Sequence, residues 1–211
     1  MTDLQRLYDA VLNGDAKAAA AVTQEALADQ VPPMDLIQKY MIPAMDEVGK
    51  RFECEEYFVP ELLLSARAMK AALQPLRPLL AAAGAEPVGR VVIGTVKGDL
   101  HDIGKNLVAS MLGGGGFEVI DLGTDVGPDK FIDAIQNRRA NIVCLSALLT
   151  VTMPSMRTTI EALKTAGVRE KVKVMIGGAP VTEQFAREIG ADAFGENAGS
   201  AVQIARKLVA A

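Results

Sequence analysis

From residue 89 onward, short runs rich in β-branched residues alternate with segments of helical periodicity. Because parallel strands need crossover connections, this alternation predicts an α/β domain with helices on both faces of a parallel sheet. The predicted strands are residues 90–95, 117–122, 141–146, 172–176 and 192–194, and the predicted helices lie near 104–113, 128–139, 154–166, 182–189 and 198–210.

The first 84 residues show helical periodicity and no strand signal. Their four predicted helices, joined by short connections, indicate a small bundle. Thr2 and Gln5 fit a capping box, Asp15 is placed to cap the second helix, and Pro43 is expected to kink the third. The predicted organisation is a helical domain at 1–84, a linker at 85–89 and a sheet domain at 90–211.

Charge and composition exclude several classes of partner. The formal net charge is −4 with no Lys/Arg cluster, which argues against binding of nucleic acid. The longest alanine- and leucine-rich stretch, around residues 71–84, is interrupted by polar residues and prolines and cannot span a bilayer, and the N-terminus lacks a secretory signal. The two cysteines cannot form a disulfide framework. The expected location is cytoplasmic, with no membrane partner.

The only histidine, His101, falls in the loop after the first predicted strand. Loops that follow parallel strands meet at the carboxyl edge of the sheet, where α/β folds bind ligands. Two further loops, 146–152 and 177–180, are expected at the same edge. They contribute hydroxyl groups and a glycine pair that allows close backbone approach.

Two stretches of the sequence resemble nucleotide-binding motifs but do not match them. The stretch from Gly98 to Asn106 resembles a phosphate-binding loop, yet it has one residue too many and Asn where Ser or Thr would reach magnesium. The tetraglycine at 113–116 follows a predicted helix instead of a strand. It is better interpreted as a helix stop and a tight turn.

A structural histidine that makes one hydrogen bond is the plain alternative to a metal ligand at His101. The loop position favours the ligand, because Asp99 would accept a hydrogen bond from one ring nitrogen and fix the other. Ser146 or Thr152 would hydrogen-bond Asp99 in turn. A single protein ligand is too few for a bare zinc ion, so a cofactor that brings its own metal and further ligands fits better.

Three motifs resemble those of cobalamin-binding domains. Asp99-Leu100-His101-Asp102-Ile103-Gly104 matches the Asp-x-His-x-x-Gly signature, Ser146-Ala147-Leu148 matches a Ser-x-Leu element, and Gly177-Gly178 matches a later Gly-Gly. The N-terminal half is similar to the helical cap of the same family, above all at 45–52 and 57–62. The resemblance is nearest to the small corrinoid proteins of methyltransferase systems, which are similar to the cobalamin module of methionine synthase. It implies a four-helix bundle cap followed by a five-stranded parallel Rossmann-like (flavodoxin-like) cobalamin-binding domain.

The resemblance also implies a role for each matching residue. His101 would be the lower cobalt ligand and sole metal ligand in place of the cofactor's own base, the base-off, His-on state. Asp99 would hold its imidazole and share its proton, and Thr152 would take the relay position of a serine in methionine synthase. The predicted cofactor-binding set also includes neighbours in the three loops and two residues of the cap: Leu100, Asp102, Ile103, Gly104, Ser146, Leu148, Thr150, Gly177, Gly178, Phe58 and Leu62. Ordinary bundle packing is the alternative for Phe58 and Leu62.

The implied function is that of a methyl-carrier subunit that is not catalytic alone. A partner methyltransferase would methylate the cofactor to methylcobalamin, and a second would pass the methyl group to an acceptor such as tetrahydrofolate or a thiol coenzyme. The donor (methanol, methylamine, betaine or an aromatic methyl ether), the acceptor and the need for a reductive activase stay open. The main alternative is a cobalamin-responsive regulatory module, against which the missing basic face argues. The cap argues against an adenosylcobalamin isomerase domain, and a cobalamin-free flavodoxin-like protein would leave the ordered motifs as coincidence.

Overall fold

The computed structural model of this 211-residue chain describes residues 2–82 and 87–210. They form two compact units, one made mainly of residues up to Pro87 and one that contains the sheet and begins at Val88. The predicted domain boundaries remain predictions, since residues 83–86, which include the start of the predicted linker, lie outside the described residues.

Within the described residues, the helical unit consists of four helical segments, as predicted. The third segment runs without interruption through two α-helices and a π-helical turn between them. The segments are α1 (Gln5–Leu12), α2 (Ala16–Ala28), α3 (Pro33–Leu36) with the π-helical turn (Ile37–Met41) and α4 (Ile42–Glu53), and α5 (Val59–Ala82). The helix α2 packs along α5, and α1 contacts both α2 and α4. Nowhere in residues 2–82 and 87–210 is a helix both long and apolar enough to cross a membrane.

Local polar contacts explain how the first two helices begin. Asp15 caps α2 as predicted, because its carboxylate accepts hydrogen bonds from two backbone N–H groups of the first turn, at 2.9 and 3.1 Å. The predicted capping box of Thr2 and Gln5 is wrong. The Thr2 hydroxyl donates to the Asp29 carboxylate at 2.9 Å instead, and the Asp3 carboxylate accepts from the N–H of Gln5, the first residue of α1, at 3.1 Å.

The irregularity predicted at Pro43 appears as the π-helical turn just before it. Pro43 has no N–H group and cannot continue the pattern in which each residue bonds the carbonyl four positions back. The N–H of Ile42 donates to the carbonyl of Ile37, five positions back, so the helix widens there. The third segment therefore continues past a proline that would otherwise interrupt it.

Five parallel strands form the sheet, and each lies within one residue of its predicted position. Helices connect successive strands, which confirms the predicted α/β class. The strands are β1 (Arg90–Thr95), β2 (Glu118–Asp121), β3 (Ile142–Ser146), β4 (Lys173–Gly177) and β5 (Ala193–Gly195). The helices are α6 (Ile103–Gly114), α7 (Pro128–Arg138), α8 (Pro154–Thr165), α9 (Glu183–Ile189) and α10 (Ala198–Ala210).

The order of the strands is β2-β1-β3-β4-β5. Val91 of β1 aligns with Val119 of β2 on one side and with Ile142 of β3 on the other. Both β1 and β3 are almost fully buried, which explains their continuous apolar sequences. The chain leaves β1 toward one side of the sheet and β3 toward the other, and in open α/β sheets a switch point of this kind is where a crevice for ligands forms.

The core of the sheet unit is continuous over one face of the sheet. Phe131 of α7 and Ile160 of α8 are fully buried against strand residues such as Val92 and Val143. Gly94 of β1 faces Phe131, because a Cβ at Gly94 would lie only 2.9 Å from that ring. The packing of α7 thus depends on a strand position without a side chain.

Leu62 and Leu63 are neighbours on α5 with opposite environments, which gives a matched test of packing in the helical unit. Leu62 is fully buried, whereas 45% of Leu63 is exposed. Leu62→Ala is expected to lower the free energy of unfolding by about 2–5 kcal/mol, because it leaves a cavity. Leu63→Ala should lower it by less than about 1 kcal/mol. Urea unfolding of the full chain measures both losses, and equal losses would contradict this packing.

Candidate functional site

Two loops that flank the crevice at the carboxyl edge of the sheet are tied together. The histidine loop (residues 96–102) links β1 to α6, and the β3 loop (residues 147–153) links β3 to α8. The backbone N–H of Val96 donates to the Ser146 carbonyl at 3.0 Å, so the loops leave the sheet side by side. Asp99 of the histidine loop makes the contacts that join them further on.

The carboxylate of Asp99 is fully buried and bonds to both loops. Its Oδ1 accepts a hydrogen bond from the backbone N–H of His101 at 3.1 Å and lies 2.7 Å from Nδ1 of the same residue. Its Oδ2 accepts from the Thr152 hydroxyl at 2.7 Å and from the N–H groups of Leu148 and Leu149 at 2.8 and 3.3 Å. The predicted contact between Asp99 and His101 is therefore present.

Burial by itself raises the pKa of Asp99, but its hydrogen bonds outweigh that effect. The donors are the Thr152 hydroxyl, the N–H and ring of His101, and the N–H of Leu148. Together they hold the pKa of the Asp99 carboxyl well below its usual range. Asp99 is therefore ionised at neutral pH and can only accept hydrogen bonds.

An ionised Asp99 fixes the proton of the His101 ring. Because the carboxylate can only accept, Nδ1 carries a proton, and in the neutral ring Nε2 is the nitrogen with the lone pair. The Thr95 hydroxyl donates to the His101 carbonyl at 2.8 Å, which holds the backbone at the same point. The side chain is 49% exposed, and no hydrogen bond to its Nε2 is found within the described residues. A half-exposed imidazole with a fixed tautomer is suited to bind a metal.

Of the two hydroxyls predicted to reach Asp99, the structure brings Thr152 into contact. Thr152 is buried, and its Oγ1 lies 2.7 Å from Asp99 and 2.8 Å from the carbonyl oxygen of Leu149. The hydroxyl of Ser146, at the end of β3, makes no hydrogen bond to Asp99 in the described part of the chain. The chain of hydrogen bonds therefore joins the His101 ring, the Asp99 carboxylate and the Thr152 hydroxyl.

Exposed apolar side chains lie in and beside the same two loops. Leu100, Ile103 and Val151 are 73%, 81% and 80% exposed, and Leu148 and Leu149 are exposed as well. A group of apolar side chains left in water marks a binding surface. Among residues 2–82 and 87–210, no group of three or more His, Cys, Asp or Glu side chains is arranged to hold an ion. The residues present fit a large, largely apolar ligand that brings the other ligands of its metal.

The other predicted residues of these loops differ in their hydrogen bonds and in their exposure. The Asp102 carboxylate accepts a hydrogen bond from the Asn106 side chain at 3.1 Å, and its carbonyl accepts from the Asn106 N–H at 2.7 Å, so Asp102 is bonded to the first turns of α6. A Cβ at Gly104, in the first turn of α6, would meet no atom within 4 Å. Thr150 is exposed in the β3 loop. Gly104 therefore borders open space, whereas Asp102 has a local structural role.

Gly177, the last residue of β4, and Gly178, which follows it, lie close to neighbouring backbone. Gly178 has a φ of +133°, and a Cβ there would lie 1.9 Å from the carbonyl oxygen of Ala147 in the β3 loop. A Cβ at Gly177 would lie 2.9 Å from the Gly195 carbonyl oxygen. The pair is thus required by the packing of backbone against backbone, and its contact with a ligand stays a prediction.

The two predicted site residues of the helical unit have different exposure. Phe58, just before α5, is 62% exposed, so its apolar ring is accessible to a ligand. Leu62 is fully buried and exposes no surface to a ligand in this structure, which fits its alternative interpretation as bundle core. Contact of either residue with a cofactor stays a prediction.

The sequence analysis missed a third group of polar residues at this edge. Lys105 is 3% exposed, and its Nζ lies 2.6 Å from Oδ1 of Asp121 at the end of β2. Asp125, four residues further on, bonds the histidine loop. A signal was present, because Asp121 and Asp125 end or follow a predicted strand, and loops after parallel strands share one edge.

Thr152→Val removes one hydrogen-bond donor from Asp99 at nearly constant volume. We expect it to raise the pKa of Asp99 toward its usual range and to lower the free energy of unfolding at neutral pH by about 1–3 kcal/mol. Because the pKa of Asp99 is depressed in the folded chain, its stabilising contribution is present above the unfolded value of about 3.9. That contribution is lost as pH falls toward the folded value.

Urea unfolding at neutral pH, repeated at decreasing pH, measures this effect. The difference between wild type and Thr152→Val should shrink only where Asp99 of the folded variant begins to be protonated, because the wild-type advantage depends on an ionised Asp99. Thr150→Val changes an exposed threonine of the same loop and should alter the free energy of unfolding by less than about 0.5 kcal/mol at neutral pH. Equal losses in Thr152→Val and Thr150→Val at neutral pH would contradict the assigned hydrogen bond.

Comparison with known proteins confirms the resemblance to cobalamin-binding corrinoid proteins. Residues 89–205 match the model of a B12 binding domain, and residues 3–77 match a second model that is also described as a B12 binding domain. The trimethylamine corrinoid protein 1 of Methanosarcina acetivorans is 42% identical over 208 residues, which cover 98% of this chain and 96% of that protein.

Two solved structures share this fold. A cobalamin-binding protein from Desulfitobacterium hafniense matches with a TM-score of 0.83 and 37% identity, over 99% of each chain. A chain of the methanol:cobalamin methyltransferase complex from Methanosarcina barkeri matches with a TM-score of 0.86 and 28% identity, over 99% of this chain and 80% of that one. The chain therefore belongs to the B12-binding family of corrinoid proteins, and the cofactor of this family is cobalamin.

Proposed function

We propose that this chain is a methyl carrier that holds cobalamin through His101. It receives a methyl group from a partner methyltransferase and presents it to a second one, which serves an acceptor such as tetrahydrofolate or a thiol coenzyme. The observation that carries the proposal is the His101 imidazole, whose Nδ1 is bound to Asp99 while Nε2 has no partner within the described residues. Similarity to a chain of a methanol:cobalamin methyltransferase complex supports the methyltransferase partner.

In this proposal, His101 takes the place of the cofactor's own base as the lower ligand. When bound, cobalamin supplies the cobalt centre that carries the methyl group. The Asp99 carboxylate keeps the proton on Nδ1, which leaves Nε2 as the nitrogen donor and raises its basicity. Thr152 and the N–H of Leu148 hold that carboxylate in place, so the ring does not have to be ordered on binding.

The remaining loop residues are proposed to bind the organic part of the cofactor. Leu100 and Ile103 expose apolar surface that a large ring would cover. The open space at Gly104 leaves room for the displaced nucleotide tail. Further residues proposed to line that space are Ser146, Leu148, Thr150, Gly177 and Gly178.

The ligand role of His101 is tested with His101→Gly. After reconstitution with cobalamin and desalting, wild type is expected to retain the cofactor with a base-off, His-on absorption spectrum. The variant should lose that spectrum and bind the cofactor at least about tenfold more weakly, because its lower nitrogen ligand is gone. Free imidazole should restore the spectrum by occupying the vacated space.

Two outcomes would contradict this proposal. Loss of cobalamin from wild type on desalting would show that the chain does not hold the cofactor. Identical spectra for wild type and His101→Gly would show that another group is the lower ligand.

Carriage of the methyl group is followed in the same preparations. Reduced, loaded wild type is mixed with a methyltransferase for methanol or a methylamine and its donor, and the corrin absorption reports methylation. At least one pair of enzyme and donor should methylate the wild-type chain. Failure with every pair would argue against a carrier of these methyl groups.

A further inference from the structure

The β2 loop (residues 122–127) is hydrogen-bonded to the histidine loop on the side away from the β3 loop. The carboxylate of Asp125 accepts a hydrogen bond from the Gly98 N–H at 2.8 Å and pairs with the Lys97 ammonium at 2.9 Å. The backbone N–H of Asp125 donates to the carbonyl of Asp99 at 2.9 Å. One residue therefore bonds three consecutive positions of the loop that carries His101.

The backbone at this contact adopts an uncommon conformation on both sides. Asp125 has a φ of +53° and Gly98 a φ of +88°, both in the left-handed region. This region costs free energy for residues other than glycine, although Asp and Asn tolerate it better than most. The contacts to Gly98 and Asp99 explain why the chain accepts that cost at Asp125.

Asp99 is consequently held from two directions. Its carboxylate is bonded by Thr152 and by N–H groups of the β3 loop, and its carbonyl is bonded by Asp125. Since His101 follows two residues later and its Nδ1 contacts the Asp99 carboxylate, any shift of Asp99 moves the ring.

A residue of β2 itself also bonds the segment that carries His101, at a position after the imidazole. The Lys105 ammonium is buried against the Asp121 carboxylate, 2.6 Å from Oδ1, and also reaches the Asn106 side chain. Asp121 ends β2, and Asp125 lies in the loop that follows. Asp125, in the loop after β2, therefore bonds the segment that carries His101 before the imidazole, and Asp121, at the end of β2, bonds it after the imidazole.

We propose that Asp125 is a positioning residue for His101, which sets the place of the imidazole through Gly98 and Asp99 without touching the ring. The inference rests on the proposed function only in giving that imidazole a ligand role. It predicts that the geometry of the ring depends on the Asp125 carboxylate even when no cofactor is bound.

The single histidine makes this dependence measurable in the full chain without cofactor. Labelling histidine with nitrogen-15 gives NMR signals from one ring, whose shifts report which nitrogen carries the proton. Wild type should show Nδ1 protonated, as the contact with Asp99 requires. Asp125→Gly permits the positive φ but removes the carboxylate, and should reduce the preference for that tautomer by about tenfold, the order of one hydrogen bond.

Two matched variants separate positioning from general effects of charge. Asp125→Asn tolerates the positive φ and keeps an oxygen to accept from Gly98, so it should stay within about twofold of wild type. Lys97→Met removes only the exposed ion pair with Asp125 and should likewise stay close to wild type. Asp125→Gly lets the backbone adopt the positive φ without strain, so its chain is expected to fold.

Two results would overturn the inference. A wild-type tautomer preference in Asp125→Gly would show that the carboxylate does not position the ring. An equal loss in Asp125→Asn and Lys97→Met would show that charge, and not the bond to Gly98, is responsible. Both results are distinct from failure of the proposed function, which is decided by whether wild type retains cobalamin.

Discussion

The buried carboxylate of Asp99 is the interaction on which the candidate site depends. An ionised group without exposed surface is stable only if hydrogen-bond donors replace the water that it has lost. The donors here come from two loops: the ring and N–H of His101 on one side, and the Thr152 hydroxyl with two backbone N–H groups on the other. One buried charge therefore joins the loops and, at the same time, fixes the tautomer of the imidazole.

The strand order supplies the geometry that this charge requires. Thr95 at the end of β1 aligns with Ser146 at the end of β3, so the histidine loop and the β3 loop start next to each other. The strand β2 lies on the other side of β1 and brings Asp125 to the histidine loop from the opposite direction. At Gly178, the missing side chain lets the backbone after β4 approach the β3 loop. The loops are thus held by their polar groups, while their apolar side chains stay exposed for a ligand.

Much of this arrangement could be predicted from the sequence, because buried parallel strands leave continuous apolar runs and their loops share one edge. That reasoning was enough to place His101 beside Asp99. It could not choose between Ser146 and Thr152, since the path of the β3 loop decides which hydroxyl reaches the carboxylate. Asp125 was missed for a related reason: its contacts are polar, lie 26 to 28 residues away along the chain and leave no periodic signal.

In the proposed function, His101, held by Asp99, is the nitrogen ligand below the cobalt of bound cobalamin. Because the chain has one histidine, labelling of histidine with nitrogen-15 marks this imidazole alone. Electron paramagnetic resonance of the cobalt(II) form resolves the splitting that the axial nitrogen imposes on the cobalt signal. If His101 is the ligand, the triplet splitting seen with ordinary nitrogen becomes a doublet in the labelled protein. A triplet that survives labelling would show that a nitrogen other than that of His101 is bound, and would contradict this role.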